Sequence, residues 1–228
     1  MSDQKNVGHN SKKDFLKNPV EHIDITSFDS QKIISFMKKM SFVSRETANA
    51  ANIYNEMLKD KECTIFLTLA GSTSAAGCMN IYKDLVKYNM VDAIVATGAS
   101  IIDMDFFEAL GFKHYQGSQF QDDTELRKNY IDRIYDTYID EDELQVCDKK
   151  ICEIADNLES RSYTSREFIQ EMGKYLKKNS VKKDSLIETA YDNNVPIFCP
   201  AITDSSAGFG LVIHQEKKKK KHITIDSI

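Results

Sequence analysis

Three short apolar runs in this chain each end in a loop of small residues, and this repeated pattern constrains the fold more than any other feature. The runs are TIFLTLAGSTSAAG at Thr64–Gly77, VDAIVATGASIID at Val91–Asp103 and VPIFCPAITDSSAGFG at Val195–Gly210. Buried parallel strands have continuous apolar sequences, and their carboxyl ends meet at one edge of the sheet. The pattern therefore predicts an α/β fold with a backbone-lined pocket at that edge, suited to nucleotides and small polar substrates.

The spacing of apolar residues predicts helices around these strands, which completes a βαβ arrangement. The central 119–162 stretch is acidic and has weak strand signals, with an acidic turn at Asp140–Glu143. Helices are predicted at 27–40, with Asp29 or Ser30 as a cap, and at 45–59, 75–88, 103–110, 126–135, 146–158, 165–177 and 184–193. Strands are predicted at 64–69, 90–96 and 197–200, and the alternating HITIDSI at 222–228 resembles a further strand.

Composition excludes several classes of protein. The chain has 228 residues with a net charge of −5, which suits one α/β domain and gives no indication of nucleic-acid binding. Five consecutive lysines at Lys217–Lys221 favour a solvated turn between strands, with a patch for an acidic partner as the alternative. The amino terminus has no apolar signal segment and no stretch is long enough to span a membrane, so we expect a cytoplasmic protein.

The five cysteines are scattered, and no pair has the spacing of a zinc site. Cys63, Cys78 and Cys199 lie in or beside apolar segments, which predicts buried thiols in a reducing compartment. We therefore expect no metal.

Two of the small-residue loops have the properties of phosphate-binding loops. Gly71 and Ser72 come directly before a predicted helix, and Thr97, Gly98 and Ala99 repeat the arrangement after the next strand. Such loops present free backbone N–H groups at a helix N-terminus and allow close approach of a ligand. The alternative is that both are tight β–α turns with no ligand.

Two aspartates and two histidines accompany these loops. Asp204 lies in the third loop, where it could bind a ribose hydroxyl or a cation, or could instead form an Asx-turn or helix cap. Asp103 could contact substrate or cap the following helix. His114 and His214 flank apolar runs, and structural roles are favoured because the sequence shows no carboxylate or nucleophile partner for them.

Taken together, these segments resemble deoxyhypusine synthase and its bacterial and archaeal deoxyhypusine synthase-like relatives, which include homospermidine-forming enzymes. The resemblance covers nearly the whole chain in order, and the AGFG motif at 207–210 is closer to the sequences of the "-like" branch. It rests on FLKNPVEHIDI at 15–25, ANIYNEMLKD at 51–60, FLTLAGSTSAAG at 66–77, YNMVDAIVATGASIIDMD at 88–105, GFKHYQGS at 111–118 and VPIFCPAITDSSAGFGLVIHQ at 195–215.

The resemblance implies an NAD-dependent aminobutyl transferase acting in a homo- or hetero-oligomer. In that family NAD oxidises spermidine, an enzyme lysine carries the aminobutyl group as an imine, and translation factor five-A receives it on a lysine. By position, NAD contacts would fall on Gly71, Ser72, Thr97, Gly98, Ala99 and Asp204, and a polyamine contact on Asp103. The implied fold is a Rossmann-like parallel sheet with flanking helices and an N-terminal helical segment, incomplete at the C-terminus. The implied division is an extension at 1–26 and an α/β domain at 27–228.

Two departures from the family pattern qualify these expectations. Phe209 stands where the eukaryotic pattern has a polyamine-binding aspartate, and no lysine here matches the GGGxxK segment that carries the imine. Three interpretations remain open. The first is a C-terminally truncated family enzyme, with a homospermidine-forming activity as the alternative to deoxyhypusine synthesis. The second is a non-catalytic subunit that supports a complete partner, and the third is a module that only binds NAD or polyamine.

Overall fold

A computed structural model of the chain describes residues 11–217 and 222–226. The strands are β1 Phe66–Leu69, β2 Ala93–Ala96, β3 Tyr115–Gln116, β4 Ile131–Ile134, β5 Thr137–Asp140, β6 Ser162–Thr164, β7 Ile197–Phe198 and β8 Thr224–Asp226. The helices are α1 Lys12–Phe15, α2 Gln31–Met37, α3 Phe42–Lys59, α4 Met79–Lys87, α5 Phe107–Ala109, α6 Asp123–Lys128, α7 Glu141–Asp156, α8 Ser165–Asn179, α9 Leu186–Asp192 and α10 Ser206–Lys217. A 3₁₀ turn lies at Ile25–Ser27, and wide, π-helical segments at Ser74–Cys78 and Ala99–Phe106 precede α4 and α5.

A three-stranded parallel sheet forms the centre of the fold, in the order β1-β2-β7. Phe66 pairs with Ala93, and Ile94 pairs with Ile197, so the three predicted strands run side by side in one direction. Ile94 and Ile197 are buried because helices cover the sheet. The predicted α/β fold with a parallel sheet and flanking helices is confirmed.

Two smaller sheets flank the parallel one. Strands β3, β5 and β4 form an antiparallel sheet, and β8 pairs in parallel with β6. The strand predicted in HITIDSI is therefore present at Thr224–Asp226, but its partner is the Ser162–Thr164 segment rather than the central sheet. Lys217, the first lysine of the run, is the last residue of helix α10 and does not follow a strand, and Lys218–Lys221 lie outside the described residues.

The acidic middle of the chain differs most from the prediction. The sequence predicts a helix at 126–135, but α6 ends at Lys128 and a β-hairpin begins at Ile131. Tyr130 and Tyr135 adopt φ of 53° and 55°, a left-handed conformation that a right-handed helix cannot contain. The expected acidic turn at Asp140–Glu143 is instead the start of α7, where Asp140 caps the backbone N–H groups of Asp142 and Glu143.

The main hydrophobic core lies between the sheet and helices α4, α5, α7, α8 and α9. Its largest fully buried side chains include Phe106, Phe107, Phe168, Ile151 and Met172. A smaller cluster under the hairpin joins Phe15, Leu126, Ile131 and Tyr138. Within residues 11–217 and 222–226, no helix combines the length and the apolar composition needed to cross a bilayer.

Replacing Gly117 with alanine should destabilise the hairpin and its small core. A Cβ atom there would lie 2.2–2.4 Å from three ring carbons of Tyr138, which is buried and bonded through its hydroxyl to Ser118. We expect the free energy of unfolding to fall by about 2 kcal/mol. Gly71→Ala is the control: its Cβ would meet nothing within 4 Å, although φ is +76°, so only backbone strain of about 1 kcal/mol remains. Urea unfolding of both variants measures the difference, and an equal loss would contradict the prediction.

Candidate functional site

The three loops identified in the sequence meet at one edge of the parallel sheet, because their strands are adjacent and run in the same direction. The backbone N–H of Thr97 donates to the carbonyl oxygen of Leu69 at 3.1 Å, which joins the first two strand ends. The second and third loops approach even more closely. A Cβ atom on Gly98 would lie 2.8 Å from Ser205 Oγ and 3.0 Å from the carbonyl oxygen of Ile202.

The first loop presents an open backbone. Gly71 and Ser72 both have left-handed φ, +76° and +59°, and a Cβ on Gly71 would meet no atom within 4 Å. The following π-helical turn begins at buried Ser74, whose hydroxyl lies 2.9 Å from Met104 Sδ and 3.5 Å from the carbonyl oxygen of Ser100. The first loop is therefore open to a ligand at Gly71, and the turn that follows it is attached through Ser74 to the helical segment of the second loop.

The second loop leads into a helix earlier than the sequence predicted. The helical segment begins at Ala99 instead of Asp103, so Gly98 and Ala99 form its amino end. Thr97 Oγ1 accepts a hydrogen bond from the Ser100 backbone N–H at 3.3 Å and lies 3.0 Å from Ser100 Oγ. Thr97 is exposed and Gly98 is buried, which is the arrangement that a backbone-lined cleft requires.

Asp103 links the second loop to the third. One turn inside its helix, it does not cap that helix, so the capping alternative is wrong for its own helix. Instead Asp103 Oδ1 accepts a hydrogen bond from the backbone N–H of Ser206 at 2.8 Å, at the start of α10. Burial raises the pKa of Asp103, the hydrogen bonds from Ser206 oppose that rise, and the negative charge of Asp204 adds to it.

Asp148 on α7 is a third carboxylate near this point, after Asp103 and Asp204, and no sequence pattern singles it out. Burial raises its pKa to about 6, a hydrogen bond from the Ser206 side chain lowers it, and the charge of Asp103 raises it further. Asp103 and Asp148 therefore both lie close to Ser206, and their negative charges oppose each other. A cation placed between them would relieve this repulsion.

Asp204 and Phe209 occupy the exposed side of the third loop. Within the described part of the chain, the Asp204 carboxylate accepts no hydrogen bond, so the Asx-turn and cap alternatives receive no support. Phe209 is 69% exposed and lines a groove of about 540 Å³ with Thr203 and Ile225. All seven residues selected from the sequence thus lie on loops, or one helical turn from loops, that share one sheet edge.

The two histidines have carboxylate partners that the sequence did not reveal. His214 Nδ1 lies 2.7 Å from Asp156 Oδ1, and its Nε2 accepts the Ile223 backbone N–H at 3.1 Å. His214 thereby connects α10 to the segment that enters β8, a structural role. His114 Nδ1 lies 2.8 Å from Glu108 Oε1. The available signal was the single glutamate within the apolar run FFEALGF, because a buried charge needs a partner.

Comparison with known proteins gives concordant matches. The deoxyhypusine synthase family model matches residues 32–228. The deoxyhypusine synthase-like protein of Coxiella burnetii is 65% identical over 218 residues, which are 95% of this chain and 62% of that relative. Its counterpart in Caulobacter vibrioides is 62% identical over 226 residues, covering 97% of this chain and 62% of the relative. The chain therefore spans about three-fifths of the length of these curated relatives.

A solved structure shares the fold. The crystal structure of a candidate deoxyhypusine synthase from Entamoeba histolytica superposes with a TM-score of 0.61 over 91% of this chain and 70% of that chain. The sequence identity is 20%, so this likeness concerns the fold alone.

Proposed function

The chain belongs to the deoxyhypusine synthase family, as its resemblance implied, and we propose that it takes part in NAD-dependent transfer of the aminobutyl group of spermidine to a lysine of translation factor five-A. The observation that carries the proposal is the meeting of three small-residue loops at one sheet edge, beside a pair of carboxylates. NAD, when bound, would accept hydride from the polyamine.

The first two loops fit the phosphates of a dinucleotide. Gly71 offers open backbone, and the N–H groups of Gly98 and Ala99 lie at a helix start. The carboxylate of Asp204 is exposed and accepts no hydrogen bond from residues 11–217 or 222–226, which suits a ribose hydroxyl. We therefore assign Gly71, Ser72, Thr97, Gly98, Ala99 and Asp204 to cofactor binding.

The carboxylates fit a polyamine. Asp103 accepts the backbone N–H of Ser206, and its negative charge acts on Asp148, so protonated amines would neutralise both carboxylates. Because Phe209 replaces the aspartate of the eukaryotic pattern, these two side chains would carry more of the charge recognition. We assign Asp103 to polyamine binding and assign no lysine of this chain to the covalent step.

We further propose that the chain functions in an oligomer. Large apolar side chains remain exposed along the N-terminal helical segment, and exposed apolar surface of this extent is typical of interaction sites. They are Phe28, Ile33, Phe36, Phe42 and Val43.

Calorimetric titration tests the assignment of the cleft. We expect saturable NAD binding, weakened at least about 30-fold by Thr97→Trp, because an indole would fill the space beside the second loop. Asp103→Asn should weaken spermidine binding about 10-fold, since the amide retains the acceptor for Ser206 and loses the charge.

The matched controls are Thr47→Trp and Asp136→Asn, which change exposed residues on α3 and the hairpin. A folded chain that binds neither ligand would overturn the proposal, whereas binding without transfer in the presence of the factor would favour the non-catalytic subunit.

A further inference from the structure

We infer that His22 is a positioning residue for the first loop of the cleft, and that it acts by fixing a strap, residues 19–23, against the turn that follows that loop. The strap lies within the FLKNPVEHIDI segment, to which the proposed function assigns no role. The cofactor part of this inference depends on the proposed function. The contacts of the strap itself do not.

The strap is attached at both ends. Pro19 forms an antiparallel bridge with Tyr115, and the Val20 N–H donates to the carbonyl oxygen of His114 at 2.8 Å. At the other end, the Ile23 N–H donates to the carbonyl oxygen of Gly77 at 3.0 Å. The strap therefore connects the segment that enters β3 with the π-helical turn Ser74–Cys78.

The turn is shaped to receive the strap. Gly77 has φ of +98°, and a Cβ there would lie 2.9 Å from the carbonyl oxygen of Glu21. Two residues of the turn, Ala76 and Gly77, depart from helical geometry, so its shape depends on contacts outside its own hydrogen bonds. Ser74 in the same turn contacts Met104, which lies in the helical segment that follows the second loop. A displacement of the strap would therefore move both loops of the cleft.

His22 fastens the strap to the interior. Its side chain is 7% exposed, and Nε2 lies 2.6 Å from Oε2 of the equally buried Glu108. Glu108 lies on α5, which continues the helix of the second loop. Its other partners are His114 Nδ1 at 2.8 Å and Lys182 Nζ at 2.6 Å. Within the described residues His22 Nδ1 has no partner, so the ring is held through Nε2 alone.

The free thiol of Cys78 reports on the strap without any ligand. Cys78 is half-buried at the end of the turn, and half-buried Cys63, just ahead of β1, is an internal reference. His22→Ala should raise the alkylation rate of Cys78 by iodoacetamide about 10-fold, because a charged hydrogen bond that opposes local opening is lost. Cys63 alkylation should not change. NAD affinity should fall about 10-fold in the same variant.

Two further variants separate positioning from general stability. His22→Gln retains an N–H donor for Glu108 and should restore both values to within about threefold of the wild type. Lys182→Ala removes another partner of the same Glu108 oxygen without touching the strap, and should leave Cys78 alkylation and NAD affinity unchanged. If His22→Ala does not fold, Asn80→Ala serves instead, since it removes the 3.4 Å bond from Asn80 Nδ2 to the His22 carbonyl oxygen.

The outcomes are distinct. Faster Cys78 alkylation in a chain whose wild type binds no NAD would support the strap and overturn the proposed function. Unchanged Cys78 alkylation in His22→Ala, or equal changes in Lys182→Ala, would overturn the inference, because the effect would then be absent or would come from the charge of Glu108 alone.

Discussion

Glu108→Gln is expected to lower the free energy of unfolding by about 3 kcal/mol at pH 7, because it removes the charge that three basic side chains share. Glu108 is 7% exposed and is bonded to His22, His114 and Lys182. Glutamine keeps the shape of the side chain but offers one acceptor oxygen in place of two. The ammonium of Lys182 can turn partly toward solvent, whereas the two buried imidazoles cannot.

A matched glutamate isolates the effect. Glu188 is also buried, but among the described residues its carboxylate accepts a hydrogen bond from one side chain, the neutral Ser180 Oγ at 3.1 Å, with the charge of Lys177 acting on it without a hydrogen bond. Glu188→Gln should therefore cost no more than about 1 kcal/mol. Urea titrations at constant temperature compare the two variants, and equal costs would show that the cluster around Glu108 contributes nothing beyond ordinary burial.

The same variant has a defined dependence on pH. Burial alone would raise the pKa of Glu108, but hydrogen bonds from His114 and His22, with the charges of His22 and Lys182, hold it well below its usual range. Nearby Asp105 is affected in the opposite direction, since burial and then the negative charge of Glu108 raise its pKa to about 6. A depressed carboxyl pKa contributes stability above the unfolded value of about 4.3 and loses it as pH falls below that value. The difference between wild type and Glu108→Gln should thus be largest near neutral pH and shrink below about pH 4.

The parallel sheet and its loops could be predicted from the sequence because local and long-range signals agree there. Each strand is an apolar run that is too short for a helix, and each ends in residues that favour turns. Adjacent parallel strands leave little freedom in where their ends lie. This is why the sequence pattern alone places Gly71, Thr97, Gly98 and Asp204 at one edge of the sheet.

The remaining features depend on contacts between distant residues, which periodicity does not encode. The β4–β5 hairpin contains strand residues with little apolar alternation, and its position depends on left-handed Tyr130 and Tyr135, which no glycine marks. Glu108 meets His22 across 86 positions of sequence. Asp148 becomes relevant to the cleft because α10 packs on α7 so closely that a Cβ on Gly210 would lie 2.6 Å from its carbonyl oxygen.

Gly98→Val is expected to abolish measurable NAD binding, with a loss of affinity of at least about 100-fold, or about 2.7 kcal/mol. The expected loss comes from steric overlap and not from backbone strain, since φ at Gly98 is −55° and suits any residue. The first added carbon would already lie 2.8 Å from Ser205 Oγ and 3.0 Å from the Ile202 carbonyl oxygen, so the second and third loops must separate. Their separation would also break the bond from Ser206 to Asp103 and so disturb the carboxylate pair.

Gly173→Ala controls for the loss of stability that accompanies this change. On α8, a Cβ at Gly173 would lie 2.6 Å from the Cβ of Tyr191 and strain the packing of α8 on α9, which contributes none of the three loops. It should lower the unfolding temperature while the dissociation constant for NAD stays within about twofold of wild type.

Combining Gly98→Ala with Ser205→Gly removes the nearest clashing atom and should recover part of the NAD affinity that Gly98→Ala alone loses. If Gly98→Val binds NAD as tightly as Gly173→Ala does, the close approach of the second and third loops has no part in holding the cofactor, and the cleft must be sought elsewhere on the molecule.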